Sequence, residues 1–432
     1  MSLATEVPVL PAVAAYPGVE GRLFRAGGRE DLAAYRATGG YAVVEDVERL
    51  LDQVDEAGVR GRGGAAFPIA RKIRTVRDGR GVPVAVANGE EGEPASVKDR
   101  WLLRTRPHLV LDGLRLASLM VGADEVHVYV SDPGSAESVR AAVQELGGAG
   151  VWDAQVEVTV VEPTYVAGEE TAAVQALNGG PALPTDKPPR PFEEGVKGRP
   201  TLVNNVETLA NLPLVQRLGA TGYRELGTVA STGTFLLTLS GCAATGLYEV
   251  PFGVTLTEVL SWLGEDPAQV DGVLMGGYFA GVLGRQVLDA SLEYDAIKAL
   301  HSGLGCGAVG VLSSGTCAVE VSAAVMAYFA RENAGQCGSC FNGTAAMSAV
   351  LEALRDHRAE AADVERLTDW SVRLRGRGAC GTLDGATNVA AAVLREFPDA
   401  VTTHLDGTCA TCAGNEGQPL SRAPFAVALP AA

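Results

Sequence analysis

The chain has 432 residues, 47% of them hydrophobic, and a formal net charge of −17. It is long enough to bury more than one core, and its acidic balance argues against a nucleic-acid binder. Eight cysteines in so long a chain are too sparse for a disulfide framework, and their crowding toward the C-terminal half suits a metal site in a reducing compartment. The opening MSLATEVPVLPAVAAYPGVEG has no basic n-region ahead of an apolar core, and runs such as LVLDGLRLASLMVGA are broken by Asp and Arg before they reach bilayer length. A cytoplasmic protein without direct membrane insertion is expected.

An N-terminal arm over 1–57 ends in the helical VERLLDQVDEAG. From there strands and helices alternate: VPVAVANG, then the helix RWLLRTRPHLVLDGLRLASLMVG, the strand EVHVYVS, the helix SAESVRAAVQEL and the strand QVEVTVVE. Short apolar strands separated by amphipathic helices imply a parallel, doubly wound sheet over 58–232, which binds ligands at the carboxyl ends of its strands. Near Gly233 the rhythm changes to GTFLLTLSG, GLYEVPFG, the helix TLTEVLSWLG and GVLMGGYFAGVL, so a small mixed β unit is expected over 233–317. Four amphipathic helices then read as a bundle over 318–400, and the aperiodic tail 401–432 carries Cys409 and Cys412.

Four stretches can carry chemistry, and each also has a structural reading. GVRGRGGAAFPIARKI holds Gly61, Gly63 and Gly64 but follows a helix, which fails the dinucleotide-fingerprint context; what remains is a backbone that can approach a flat or anionic ligand, or a tight interhelical turn. ANGEEGEP packs Glu90, Glu91 and Glu93 at a strand's carboxyl end, as acceptors for hydroxyl and amide groups or as a solvated acidic turn. In TYVAGEETAAVQALNGG, Gly168, Glu169 and Glu170 open a helix, a charge arrangement that can be purely structural. In GRPTLVNNVETLANLP, Asn204 and Asn205 can read a ring edge through their amides, or Asn205 can be a helix N-cap.

Taken in order, GRGGAAFP, NGEEGEP, GEETAAVQAL, KPPRPF and PTLVNNVETLANLP, followed by a cysteine-bearing helical segment, resemble the NADH-binding flavoprotein subunit of respiratory complex I. That family also includes diaphorase subunits of NAD-linked hydrogenases and formate dehydrogenases. The resemblance implies a Rossmann-like FMN domain with a parallel sheet, a ubiquitin-like SLBB β unit and a helical bundle with an iron–sulfur cluster. It places FMN against Gly61, Arg62, Gly63, Gly64, Lys72, Asn88, Glu90, Glu91, Tyr165, Gly168, Glu169, Asn204, Asn205 and Thr208. It places NADH, the substrate, against Phe67, Glu93, Glu170 and Lys187, where the carboxylate of Glu170 near the adenosine ribose would repel a 2′-phosphate. No catalytic acid or base is implied.

The chain departs from the resemblance twice. Thr75 and Arg190 stand where the family carries aromatic rings for the adenine, leaving Phe67. In ARENAGQCGSCFNG, Ala334 stands where the first cluster cysteine belongs, with Cys337, Cys340 and Cys380 matching the others; the alternative register on CGSC puts Gly343 in the third place. Three outcomes follow: a fourth ligand from the tail, Cys409 or Cys412 in preference to Cys306; a cluster with one oxygen-ligated or missing iron, [4Fe–4S] or [3Fe–4S]; or no cluster. The function implied is an FMN-dependent NADH dehydrogenase passing electrons through the cluster to a ferredoxin-like or quinone-linked partner, with a thioredoxin-like [2Fe–2S] subunit as the family's usual companion. The alternatives are an FMN electron-transfer subunit that does not oxidise NADH, and a scaffold subunit without cofactors.

Overall fold

The computed structural model describes residues 7–10, 12–19, 22–25, 27–152, 154–414 and 416–430; the first six residues of the expected arm lie outside them. Its first sheet is formed by β2 (Val84–Asn88), β3 (Glu125–Val130), β4 (Val156–Val160) and β5 (Thr201–Asn205), all parallel, in the order β4-β3-β2-β5. Side chains alternate between the two faces of a strand. Ala85, Ala87, Val126, Val128 and Val130 therefore join the main core with Leu111 and Leu114 of the helix Pro107–Val121. Val84, Val86, Tyr129 and Val203 pack on the other side with Ala173 of the helix Glu170–Leu177. Burial on both faces is why the central strand β2 reads as a near-continuous apolar run, whereas the edge strand β4 alternates and leaves Glu157 and Val160 exposed.

The second sheet is mixed, in the order β1-β7-β6-β10-β8-β9, with β6 (Thr234–Ser240), β7 (Gly246–Pro251), β8 (Val270–Met275), β9 (Val282–Gly284) and β10 (Ala308–Ser313). Its edge strand β1 (Val13–Ala15) comes from the N-terminal arm and runs parallel to β7, so the arm is built into the β unit rather than standing apart from it.

Two helical readings are corrected by proline. The single helix expected over 100–122 is two, Lys98–Thr105 and Pro107–Val121, and a fifth helix, Pro398–Leu405, follows the expected four of the bundle. Each break falls on the residue before a proline: Arg106 at φ −127°, ψ 51° and Phe397 at φ −130°, ψ 50°. Proline's ring excludes the preceding residue from helical geometry, while its missing N–H makes it a good first helical residue. The bundle helices Ala318–Glu332, Gly338–Arg355, Ala361–Arg373 and Thr382–Glu396 pack around Phe329, Met347, Leu351, Leu383 and Val389.

A buried ionic network joins the two sheets. Lys98, with no exposed surface, places Nζ 2.6 Å from Asp99 Oδ1 and 3.0 Å from Glu207 Oε2. Glu207 Oε1 accepts from the backbone N–H of Leu236 in β6 at 3.0 Å. Burial alone would pull the Lys98 ammonium down, but Asp99 and Glu207 outweigh it and hold it above the ordinary lysine range.

Candidate functional site

The site is built at the carboxyl ends of β2 and β5, which lie side by side with Asn88 opposite Asn205. The chain crosses from β2 to β3 on one side and returns as β5 on the other, which opens a crevice at the strand ends. The glycine loop enters from the turn between the helices Val47–Ala57 and Ile69–Arg77, where Gly61 N–H donates to Phe67 O at 2.9 Å. Gly63 approaches Asn205 so closely that a Cβ there would lie 3.2 Å from the asparagine Cβ. Asn88 Nδ2 donates to Gly168 O at 2.8 Å, and a Cβ on Gly168 would meet Glu90 Oε2 at 2.6 Å. Glycine loop, β2, β5 and the Gly168 loop therefore converge.

Two buried polar atoms near the carboxyl ends of β2 and β5 have no protein hydrogen-bond partner: Glu90 Oε2 and Asn204 Nδ2. Leaving a buried donor or acceptor unpaired costs about 1–3 kcal/mol, so such atoms mark a place where a ligand supplies the missing partner. Burial pushes the Glu90 carboxyl up to about 8, against a weaker opposing bond from Ser131, so near neutrality it holds a proton it can donate. Lys72 reaches in from the helix Ile69–Arg77, donating to Val203 O at 2.6 Å and lying 3.3 Å from Glu170. Phe67 is 46% exposed beside Arg71, whose guanidinium carbon is 5.7 Å from the ring centroid.

Other expected contacts are engaged by the protein itself. The Arg62 guanidinium turns inward to Arg60 O, Thr232 O and Thr234 O and sits 4.5 Å over the Phe252 ring, while its backbone N–H donates to Thr208 Oγ1 at 2.8 Å. Glu91 accepts from Ser96 Oγ and from Asp99 and Arg100 at the start of the helix Lys98–Thr105. Asn205 is the N-cap of the helix Val206–Ala210, accepting from Glu207 N–H at 3.0 Å and donating to Asp99 at 2.6 Å. Glu169 caps the helix Glu170–Leu177 and pairs with Lys187. These four side chains shape the crevice without facing it as free groups. Glu93 accepts from Tyr278 N–H at 2.9 Å and Ala95 N–H at 3.2 Å, tying the acidic loop to the turn after β8; burial pushes it up to about 7. Thr75 and Arg190 are exposed, and the Thr75 hydroxyl donates back to Arg71 O, so no second aromatic flank stands opposite Phe67 from these positions.

The crevice meets the helical bundle through Tyr165, whose ring packs edge-on against Phe329 and Tyr328 at 5.2 and 5.7 Å. Beyond it, Cys337, Cys340 and Cys380 line one small pocket with Ala334, Gln336 and Pro184. Cys337 is the N-cap of the helix Gly338–Arg355 and Cys340 lies in its first turn, so three thiols share a helix N-terminus.

The tail cysteines are elsewhere, which corrects the expectation that Cys409 or Cys412 completes this pocket. Their sulfurs, with those of Cys317 and a ring nitrogen of His404, lie within 4.8 Å of one another. Cys317 is the N-cap of the helix Ala318–Glu332, whereas Cys337 lies just past its other end; fifteen residues at 1.5 Å each separate the two groups by about 22 Å. Cys306 points to Gly276 O, outside the three-thiol pocket. Sequence reading missed Cys317 and His404, although His404 stands five residues before Cys409 in an H-x4-C-x2-C spacing typical of metal ligands.

Comparison with known proteins agrees with this layout. Residues 54–214 match the model described as the Nuo51 FMN-binding domain, and residues 320–404 match that of the NADH-ubiquinone oxidoreductase-F iron-sulfur binding region. The chain is 31% identical to the F 2 subunit of the NADH-quinone oxidoreductase of Rhizobium meliloti (strain 1021), over 87% of this chain and 94% of that one. It is 29% identical to the NADP-reducing hydrogenase subunit HndC of Solidesulfovibrio fructosivorans, over 87% and 80% respectively. Among solved structures it resembles an NAD+-reducing [NiFe]-hydrogenase in the H2-reduced state, with TM-score 0.79 and 30% identity over 88% of this chain and 69% of that one. In the air-oxidised state of such a hydrogenase the TM-score is 0.77, and this chain spans 63% of that chain's length. The fold and site define a flavin-binding, iron–sulfur electron-transfer subunit. The chain belongs to the family of NADH-quinone oxidoreductase F subunits.

The Glu90 carboxyl yields a pH prediction. Unfolded, it ionises near 4.5; folded, it keeps its proton to about 8. Between these values the native state binds more protons, so stability contributed by the neutral carboxyl is lost as pH rises through that window. Glu90→Gln in the flavin-free protein should flatten the pH dependence of the unfolding free energy and gain on the order of 2 kcal/mol over wild type at about pH 8.5. Chemical denaturation at about pH 5.5 and pH 8.5 measures this, and an equal loss of stability at both would contradict it.

Proposed function

We propose that the chain is an FMN-dependent NADH dehydrogenase of diaphorase type, delivering electrons through an iron–sulfur cluster to a partner protein. The observation that carries this reading is the pair of orphaned buried atoms, Glu90 Oε2 and Asn204 Nδ2, at the carboxyl ends of adjacent parallel strands. A protonated carboxyl and an amide N–H are donors matched to the carbonyl and ring-nitrogen acceptors along a flavin edge, and the glycine loop clears space for a flat ring. When bound, FMN accepts a two-electron hydride from NADH and releases electrons singly. In this reading Glu90 and Asn204 orient the ring, Lys72 compensates negative charge, and the exposed face of Phe67 stacks on the adenine. Glu170 is already paired with Lys72, so its repulsion of a 2′-phosphate is weaker than that of a free carboxylate.

The three thiols fit an iron–sulfur cluster held at three corners, with Ala334 at the open one; thiolates are the cluster's natural ligands and the helix N-terminus favours their charge. Tyr165 packs on Phe329 and its backbone lies against Gly92 of the acidic loop. Phe279 and Phe341, each 41% exposed, stand beside Gly381 and Cys340 and offer an apolar rim on which a small iron–sulfur or ferredoxin-like partner docks. In this reading the chain is a peripheral, cytoplasmic component that reaches quinone only through its partners. Among the described residues no helix is long and apolar enough to cross a membrane.

Anaerobic titration of the flavin-loaded protein with NADH should bleach the visible flavin absorbance at stoichiometric amounts. A flavin that binds but does not bleach would favour the electron-transfer subunit that leaves NADH to another chain. For the cluster, Ala334→Cys should supply the missing thiolate, settle iron at about four per chain and slow its loss to a chelator by about tenfold. Wild-type protein without iron or sulfide, or a variant as labile as wild type, would contradict the three-thiolate cluster.

A further inference from the structure

The second sulfur group lies at and beyond the edges of the regions that the family comparisons cover. Cys317 precedes the matched iron-sulfur region, Cys409 and Cys412 follow it, and His404 is its last residue. All four are buried, with their ligand atoms within 4.8 Å of one another. His404 Nδ1 lies 2.8 Å from Ala400 O in its own helix, so that nitrogen carries the proton and donates it to the carbonyl. The Nε2 lone pair is thereby left facing Cys317 Sγ at 3.6 Å. A ligating histidine is oriented in just this way, by a bond from its other nitrogen. Tetrahedral zinc, with bonds of about 2.3 Å to sulfur and about 2.0–2.1 Å to nitrogen, requires a sulfur–nitrogen separation of about 3.6 Å.

We propose that Cys317, His404, Cys409 and Cys412 bind one zinc ion, a structural site distinct from the iron–sulfur pocket. Three sulfurs and one imidazole form a closed four-ligand set with no place for substrate. The cage is too tight for a cubane, whose irons and sulfides must fit between the thiolates. Its ligands come from the start of one bundle helix, the end of the helix Pro398–Leu405 and the aperiodic tail, so the ion fastens a segment that has no secondary structure of its own. Beyond the ligands, the tail runs back along the bundle as a strap: Arg355 donates to Gln418 O, Arg331 to Arg422 O, and Tyr278 to Pro424 O. It then passes the acidic loop, where Val427 N–H donates to Pro94 O at 3.2 Å, and Ala428 pairs beyond it with the N-terminal arm. Zinc thus anchors the strap that backs the loop carrying Glu90 and Glu93.

The test is elemental analysis of the full-length protein as purified. One zinc per chain is expected, with zinc-edge X-ray absorption showing three sulfurs and one nitrogen. Cys409→Ser with Cys412→Ser should remove the zinc while leaving iron and sulfide per chain unchanged. On wild type, stripping the zinc with a chelator should expose the strap to trypsin after Arg422 at least about tenfold faster, a readout that needs no variant to fold. The proposal is overturned by wild type that neither contains nor takes up one zinc, by an oxygen-rich zinc shell, by a Cys409–Cys412 disulfide in mass spectra, or by iron lost together with zinc in the double variant.

Discussion

Lys98 is the constraint on which the candidate site depends. Its ammonium has no access to solvent and is held by Asp99 and Glu207, with Asn205 Oδ1 at 3.3 Å. Removing one member of such a buried set costs about 3–5 kcal/mol, because it strands the remaining charges. Each partner is also a positioning element: Asn205 starts the helix after β5, Glu207 holds the backbone of β6, and the Arg62 guanidinium lies 3.9 Å from Glu207. The glycine loop, the end of β5 and the second sheet are therefore referenced to one point. With that frame fixed, Glu90 and Asn204 can remain buried and unpaired at the strand ends.

The same economy of placement separates the two sulfur groups. A helix of fifteen residues puts the three-thiol pocket at one end and the Cys317 group at the other, so neither can complete the other. The three-thiol pocket lies on the Tyr165 side of the bundle, while the four residues of the second group are buried at the far end. The tail cysteines therefore do not reach the pocket lined by Ala334, and they group with Cys317 and His404 instead.

Much of this was legible in the sequence because it rests on local pattern. Strands buried on both faces showed as apolar runs, the bundle showed as helical periodicity, and the Asn205 cap was one of two readings available from its position before a helix. What was not legible depends on long-range placement. Whether Glu90 or Glu91 faces the crevice cannot be read from EEGE, since Glu91 is claimed by Arg100 and Ser96 on the following helix. Arg62 sits in the glycine loop like a ligand contact, yet its partners Thr232 and Thr234 lie about 170 residues away. Cys317 and His404 are separated by 87 residues, and only the antiparallel return of the bundle joins them. The break at Pro107 was visible as a proline, and the helical pattern around it masked its effect; at Pro398 the expected helix stopped correctly, but the short helix that begins there was read as part of the aperiodic tail.

In the proposed function, the two orphaned donors at the ends of β2 and β5 hold the flavin. The most direct test of this is the affinity of the flavin-free protein for FMN, read by quenching of flavin fluorescence, in wild type and in Asn204→Ala with its folding checked by circular dichroism. Losing one buried donor to a ligand acceptor corresponds to about 1.5–3 kcal/mol, so the dissociation constant should rise about 10- to 100-fold with stability retained. An unchanged FMN affinity in a folded variant would contradict the account.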